Sequence, residues 1–331
     1  LTAIYPLLQT NFMLDFAQIG MISLVYQMTA SILQPGIGFV TDRHPMPFLW
    51  PSGMLATTCG VILLGFATSY AHLLIAAGLM GIGSSIFHPE AVRLTRRASG
   101  GRYGLAQSIF QVGGNLGSSL GPLIAGIIVV KFSSQTNILW FAGIGLVAVA
   151  LLVYLGRWGR AHQPPKVSSQ NRVATFPYGK RRTLFALFIL AVLIFAKYFY
   201  MSNMTNYFSF YLIEKFAIER SNAVILVFIF MGSIAVGTFM GGPIGDKIGR
   251  KKVIWFSMMG ALPFTLMLPH LPFIGVIIAS VFVGLILASA FSAIVVFAQE
   301  LVPGHIGMIA GVFFGLMFGM SGLGALFLGW L

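Results

Sequence analysis

Gly242-Pro243-Ile244-Gly245-Asp246-Lys247-Ile248-Gly249-Arg250-Lys251-Lys252 is a charged phrase between two long apolar runs. Gly38-Phe39-Val40-Thr41-Asp42-Arg43, 204 residues earlier, has the same place and pattern. A second pair repeats at almost the same spacing. Gly101-Arg102-Tyr103-Gly104-Leu105-Ala106 lines up with Gly304-His305-Ile306-Gly307-Met308-Ile309 at an offset of 203, and the register continues to Gly121 and Gly324. Two independent landmarks at nearly one offset imply an internal duplication. Each phrase reads as a short charged turn joining two membrane-length helices, and a duplicated helical membrane chain has the build of a transporter.

Composition agrees with a membrane chain. Of 331 residues, 57% are hydrophobic and 8% charged, against ~25% charged in a soluble domain. Apolar runs near the ~20 residues that cross a bilayer lie near 16–40, 48–68, 72–88, 103–130, 137–156, 183–212, 221–244, 253–269, 272–299 and 306–331, with a helix tail at 1–9. The 39 glycines suit closely packed membrane helices. Cys59 is the one cysteine, so an internal disulfide and a cysteine metal cluster are both excluded.

The net charge of +13 reflects topology and not a nucleic-acid partner. Sixteen of the twenty Lys and Arg fall in connections on one side: Arg43, then Arg93 to Arg102, Arg157 to Arg182, and Lys247 to Lys252. That bias places the basic side in the cytoplasm, against anionic lipid. The hydrophilic stretch from Arg157 to Arg182 reads as a cytoplasmic linker between a first half at 1–156 and a second at 183–331. Applying the offset to these spans leaves the first helix truncated and the twelfth outside the sequence, so a fragment of a twelve-helix protein is expected.

The phrase Gly-x-x-x-Asp-Arg/Lys-x-Gly-x-Lys/Arg-Lys/Arg resembles the loop signature of the major facilitator superfamily. Its second copy is complete in Gly242, Asp246, Lys247, Gly249, Arg250, Lys251 and Lys252. In the first, after Gly38, Asp42 and Arg43, His44-Pro45 stands where the later glycine and basic residues belong. An Asp at a helix end can accept hydrogen bonds from the N-terminus of a neighbouring helix, and the glycines permit close approach. These residues are therefore a candidate conformational latch, with a weaker role expected for Asp42. A turn that only sets topology would account for one degenerate copy, but not for two at matching offset.

Gly117-Ser118-Ser119-Leu120-Gly121-Pro122-Leu123-Ile124-Ala125-Gly126 resembles the Gly-Pro signature of the superfamily's drug/proton antiporters. Four further stretches resemble, within it, the bacterial exporters of fosmidomycin, a phosphonate antibiotic. They are Phe87-His88-Pro89-Glu90-Ala91, the run from Gly104 to Asn115, Phe195-Ala196-Lys197-Tyr198-Phe199-Tyr200-Met201, and Ala288-Ser289-Ala290-Phe291-Ser292-Ala293. The resemblance implies an all-α polytopic fold of two six-helix halves in a bacterial inner membrane. It also implies proton-driven export of fosmidomycin or a similar small anion. Uptake of a metabolite such as a sugar or organic acid is the alternative within transport.

The residues point the same way. Gln107, Gln111 and Asn115 recur at i, i+4, i+8, and Ser23, Gln27, Ser31 and Gln34 form a second polar stripe. Two such stripes in hydrocarbon read as the wall of a wet cavity, whereas each polar residue alone could serve interhelix hydrogen bonding. Lys197 lies about 21 Å into its span, too deep to snorkel easily, with Tyr200, Tyr207 and Tyr211 on roughly its face. A cation there meets either an anionic substrate or a carboxylate, and no acid lies deep in any span, so an acid in the absent part of the first helix is the other possible partner.

His88, Glu90 and Glu300, at the cytoplasmic ends of their helices, either carry the coupling proton or cap helices and pair with Arg93, Arg96 or Arg97. No catalytic acid pair or His/Cys metal spacing occurs within the membrane, so an enzyme is not expected. A ligand-gated receptor has no need of the duplicated turns. No cofactor is implied, and no Gly-x-x-x-x-Gly-Lys-Ser/Thr loop is present for nucleotide-driven transport. Small anion, protons and lipid are the partners expected; the oligomeric state is not encoded in these features.

Overall fold

The computed structural model describes residues 4–44, 46, 48–125, 128, 134–161 and 178–330. Gly126, Lys131 and most of the expected linker (162–177) lie outside them. Regular structure in the described residues is helical throughout: α1 (Tyr5–Phe12), α2 (Phe16–Arg43), α3 (Leu49–Gly65), α4 (Tyr70–Ala98), α5 (Tyr103–Ala125), α6 (Leu139–Ala161), α7 (Lys180–Phe216), α8 (Arg220–Ile248), α9 (Arg250–Met259), α10 (Ala261–Met267), α11 (Phe273–Leu301) and α12 (Ile306–Trp330). Six stretches, in α4, α6, α7, α8, α9 with α10, and α11, are long and apolar enough to cross a membrane.

Local chemistry sets the helix limits. Asp15 starts α2 with a capping box: its carboxylate accepts from Gln18 N, and the Gln18 side chain accepts from Asp15 N. The Asp42 and Asp246 phrases, expected as turns, instead form the last turns of α2 and α8. Gly249 supplies the break after α8 at φ 97°, in the left-handed region that glycine favours. The expected span 253–269 is interrupted at Gly260, three residues before Pro263, whose nitrogen has no hydrogen for the Met259 carbonyl. α4 runs through Pro89 to Ala98, which places His88 and Glu90 inside a helix and not at its end.

The chain forms two compact units. The first contains residues 1–94, 116–175 and 304–319, and the second contains 95–115, 176–303 and 320–331. The first unit's main core joins Leu8, Ile22, Leu64, Leu73 and Ile138. In the second, Phe230, Val283, Ile286 and Leu287 form one core and Phe208, Leu212 and Val276 another. α11 is the central helix there, with 78% of its apolar window buried, against 17% for that of α7. Its side chains therefore meet protein all round, while α7 presents much of its length outward, as a lipid-facing helix does.

Candidate functional site

Each unit holds a clasp between a carboxylate at the end of one helix and the N-terminus of another. In the first, Asp42 in the last turn of α2 accepts from Gly307 N at 2.9 Å and Met308 N at 2.8 Å. In the second, Asp246 in the last turn of α8 accepts from Gly104 N and Leu105 N, both at 3.0 Å. These are N–H groups that an α-helix leaves without internal partners, at the positive end of its dipole. Charge-assisted bonds of this kind contribute about 1.5–3 kcal/mol each. Gly38 packs on the Gly307 backbone and Gly242 on that of Gly104, and neither leaves room for a Cβ. The two repeated landmarks of the sequence are thus the two faces of one contact, made twice.

The cations differ. Arg250, from the complete signature, lies 3.0 Å from Asp246 and 3.2 Å from Glu300. The first copy has Met46 at the position equivalent to Arg250, and Arg93 of α4 takes its place, 3.5 Å from Asp42 and 2.6 Å from Glu90. Each clasp is therefore an acid–Arg–acid triad. The sequence reading missed this role of Arg93; the Glu90/Arg93 spacing of i, i+3 was its one signal. Arg43 and Lys247 do not join the clasps: Arg43 lies over the Phe39 ring and Lys247 is exposed. Arg96 donates to Gln299 at 2.9 Å and covers the Tyr103 ring, steadying the start of α5.

The three proton-carrying candidates are distributed between the units. His88 places Nδ1 3.0 Å from the Ser84 carbonyl oxygen, and its ring packs on Phe314 and Phe318 with centroids 5.1 and 5.0 Å away. Glu90 is held by Arg93 in the same unit, and Glu300 by Arg250 in the other.

Of the substrate candidates, Lys197, Gln107, Gln111, Asn115, Tyr200 and Tyr207 belong to the second unit and Gln27 to the first. Lys197 sits near the middle of α7 and is 3% exposed. Its ammonium donates to Ser257 Oγ of α9 and to the Leu287 carbonyl of α11, the latter at 2.8 Å. Among the described residues no carboxylate forms an ion pair with it. Gln107 and Gln111 are buried, while Asn115, Tyr200 and Tyr207 are half-buried. Tyr200 packs on the Phe230 core.

The α2 stripe meets α12, where Gly311 abuts the Gln34 backbone and Gly315 that of Ser31. Gln27 Oε1, Ser31 Oγ and both amide atoms of Gln34 are buried without hydrogen-bond partners among the described residues. Leaving a buried polar group unsatisfied costs about 1–3 kcal/mol, a cost that an apolar side chain at position 34 would not carry. Gln34→Leu is accordingly expected to stabilise the α2–α12 contact. A higher melting temperature in detergent together with slower transport is the expected result; a lower melting temperature would mean that Gln34 is satisfied.

The model of the Major Facilitator Superfamily matches residues 1–325. The chain is 50% identical over 327 residues to the fosmidomycin resistance protein of Escherichia coli, covering 99% of this chain and 80% of that one. It is 37% identical over 330 residues to the uncharacterized MFS-type transporter YfnC of Bacillus subtilis, with the same shares of 99% and 80%. The crystal structure of the E. coli fucose:proton symporter FucP superposes with a TM-score of 0.73 at 12% identity, covering 99% of this chain and 87% of that one, a likeness of fold alone.

Proposed function

The chain belongs to the Major Facilitator Superfamily, and from that membership we propose that it exports a small anionic drug, fosmidomycin or a similar phosphonate, in exchange for protons. Multi-pass secondary transport is the established part; substrate, coupling and direction are the proposal. The observation that carries it is the 50% identity, along 99% of the chain, to a protein named for fosmidomycin resistance. The burial of Lys197, which has no carboxylate ion pair among the described residues, suits an anionic cargo. In this reading the chain is a carrier and not a catalyst, set in a bacterial inner membrane with its Arg-rich connections in the cytoplasm. The clasps at Asp42 and Asp246 act as latches, formed in one state of an alternating-access cycle and broken in the other.

The test is transport in proteoliposomes. Fosmidomycin accumulates against its gradient only while a pH gradient is imposed, and each substrate movement is accompanied by opposite proton flux. Accumulation indifferent to the pH gradient and to a protonophore would sink the exchange reading. Within that assay, His88→Ala or Glu90→Gln abolishes uphill movement and preserves downhill exchange if the residue carries the coupling proton. A variant that still concentrates substrate removes that residue from the coupling path.

A further inference from the structure

Ser257 has no place in the latches or in the polar stripes, yet it is fully buried and meets Lys197, the most buried cation among the described residues. An ammonium has three N–H donors and no acceptor capacity. At Lys197 two are taken, by the Ser257 hydroxyl oxygen and by the Leu287 carbonyl. The Leu287 carbonyl lies mid-helix in α11, so an oxygen normally committed to its own helix also receives the ammonium. Two acceptors on two different helices fix the Nζ position and the directions of its N–H bonds more closely than a long flexible stem does alone.

Charged groups on the surrounding helices lie towards their ends. On α7 these are Lys180, Arg181 and Arg182 at one end and Glu214 and Lys215 at the other; on α8, Arg220, Asp246 and Lys247; on α9, Arg250, Lys251 and Lys252; on α11, Glu300. At ~1.5 Å per residue Arg250 is about 10 Å along α9 from Ser257, and Glu300 about 20 Å along α11 from Leu287. Tyr198 and Tyr200 are the neighbouring titratable residues on α7. Both fixed acceptors are neutral, so neither cancels a positive charge carried at Nζ.

We propose that Ser257 is the positioning residue of an oxyanion site at Lys197: with the Leu287 carbonyl it holds two ammonium N–H bonds, directing the third to a carboxylate or phosphonate oxygen. This rests on the reading of Lys197 as a substrate ligand. A hydroxyl is suited to the task because it accepts from the cation without neutralising it. A carboxylate at the same place would cancel the charge and compete with the anion.

The experiment measures binding to the purified full chain in lipid nanodiscs. The probes are fosmidomycin, inorganic phosphate and an uncharged ester of fosmidomycin, and the variants are Ser257→Ala and Ser257→Thr. Ser257→Ala weakens both anions about tenfold while the ester stays within about twofold of wild type, and Ser257→Thr, which keeps the hydroxyl, restores anion binding. A merely structural role moves charged and uncharged probes together, or leaves the threonine variant as impaired as the alanine one, and either result overturns the assignment. If wild type binds phosphate but not fosmidomycin, the proposed cargo fails and the alanine-to-threonine comparison is read on phosphate. If wild type binds neither anion, the oxyanion site fails with it.

Discussion

Asp42→Asn and Asp246→Asn each reduce transport about 30-fold or more while leaving membrane insertion intact. Each carboxylate accepts two helix-terminal N–H bonds at 2.8–3.0 Å and faces an arginine. An amide of the same shape keeps one acceptor, turns an NH2 group towards an N–H donor, and loses the charge that the arginine offsets. Breaking a buried hydrogen-bonded charge pair on one side costs about 2–5 kcal/mol, and each ~1.4 kcal/mol is tenfold in an equilibrium. In the proposed latch role, a clasp that loses this much no longer balances the two states of the cycle. The two variants are expected to be equally impaired, because Arg93 completes the first clasp as Arg250 completes the second. Arg93→Gln should reproduce Asp42→Asn. Initial rates in proteoliposomes, normalised to inserted protein, decide the matter: wild-type rates in both aspartate variants would reduce the phrases to topology-setting sequences.

Lys197→Met is the second large effect. It replaces the ammonium by an apolar side chain of similar length, so packing is largely conserved and the charge is not. With the proposed cargo, binding of fosmidomycin is expected to fall about 100-fold, in the range of about 2–5 kcal/mol for removing one partner of a buried charge pair, while that of an uncharged ester stays within about twofold. Lys197→Arg recovers only part of the loss, since a planar guanidinium cannot place its N–H bonds on Ser257 and Leu287 as a tetrahedral ammonium does. Titration of the purified variants against the charged and uncharged pair reads the difference directly. Equal losses for both would identify Lys197 as a helix-to-helix brace with no part in selecting charge.

Much of this molecule is legible in its sequence because a bilayer leaves a chain few choices. Apolar runs of membrane length have to be helices, since each unsatisfied backbone group in hydrocarbon is costly. A repeated phrase at one offset announces the duplication before any coordinate is known. The helix limits were less legible: Gly38–Arg43 and Gly242–Ile248 look like turns because they are charged, yet they stay helical to the point where His44 and Gly249 leave the helix. Charge marks where a helix leaves the apolar layer, not where it stops.

What the sequence by itself determined is therefore the helices, their duplication, and the identity of the two aspartates and two glycine pairs, all of which depend on local pattern. Tertiary structure alone decided their partners. That Asp42 reaches the N-terminus of α12 and Asp246 that of α5 joins residues 265 and 142 positions apart, and no local propensity encodes such a distance. Arg93 stands in for an absent loop cation because α4 continues through Pro89 to bring it within 3.5 Å of Asp42. Ser257 holds Lys197 because α7, α9 and α11 converge at that level. A serine in an apolar helix has no signature of its own; the ammonium packed against it gives it a role.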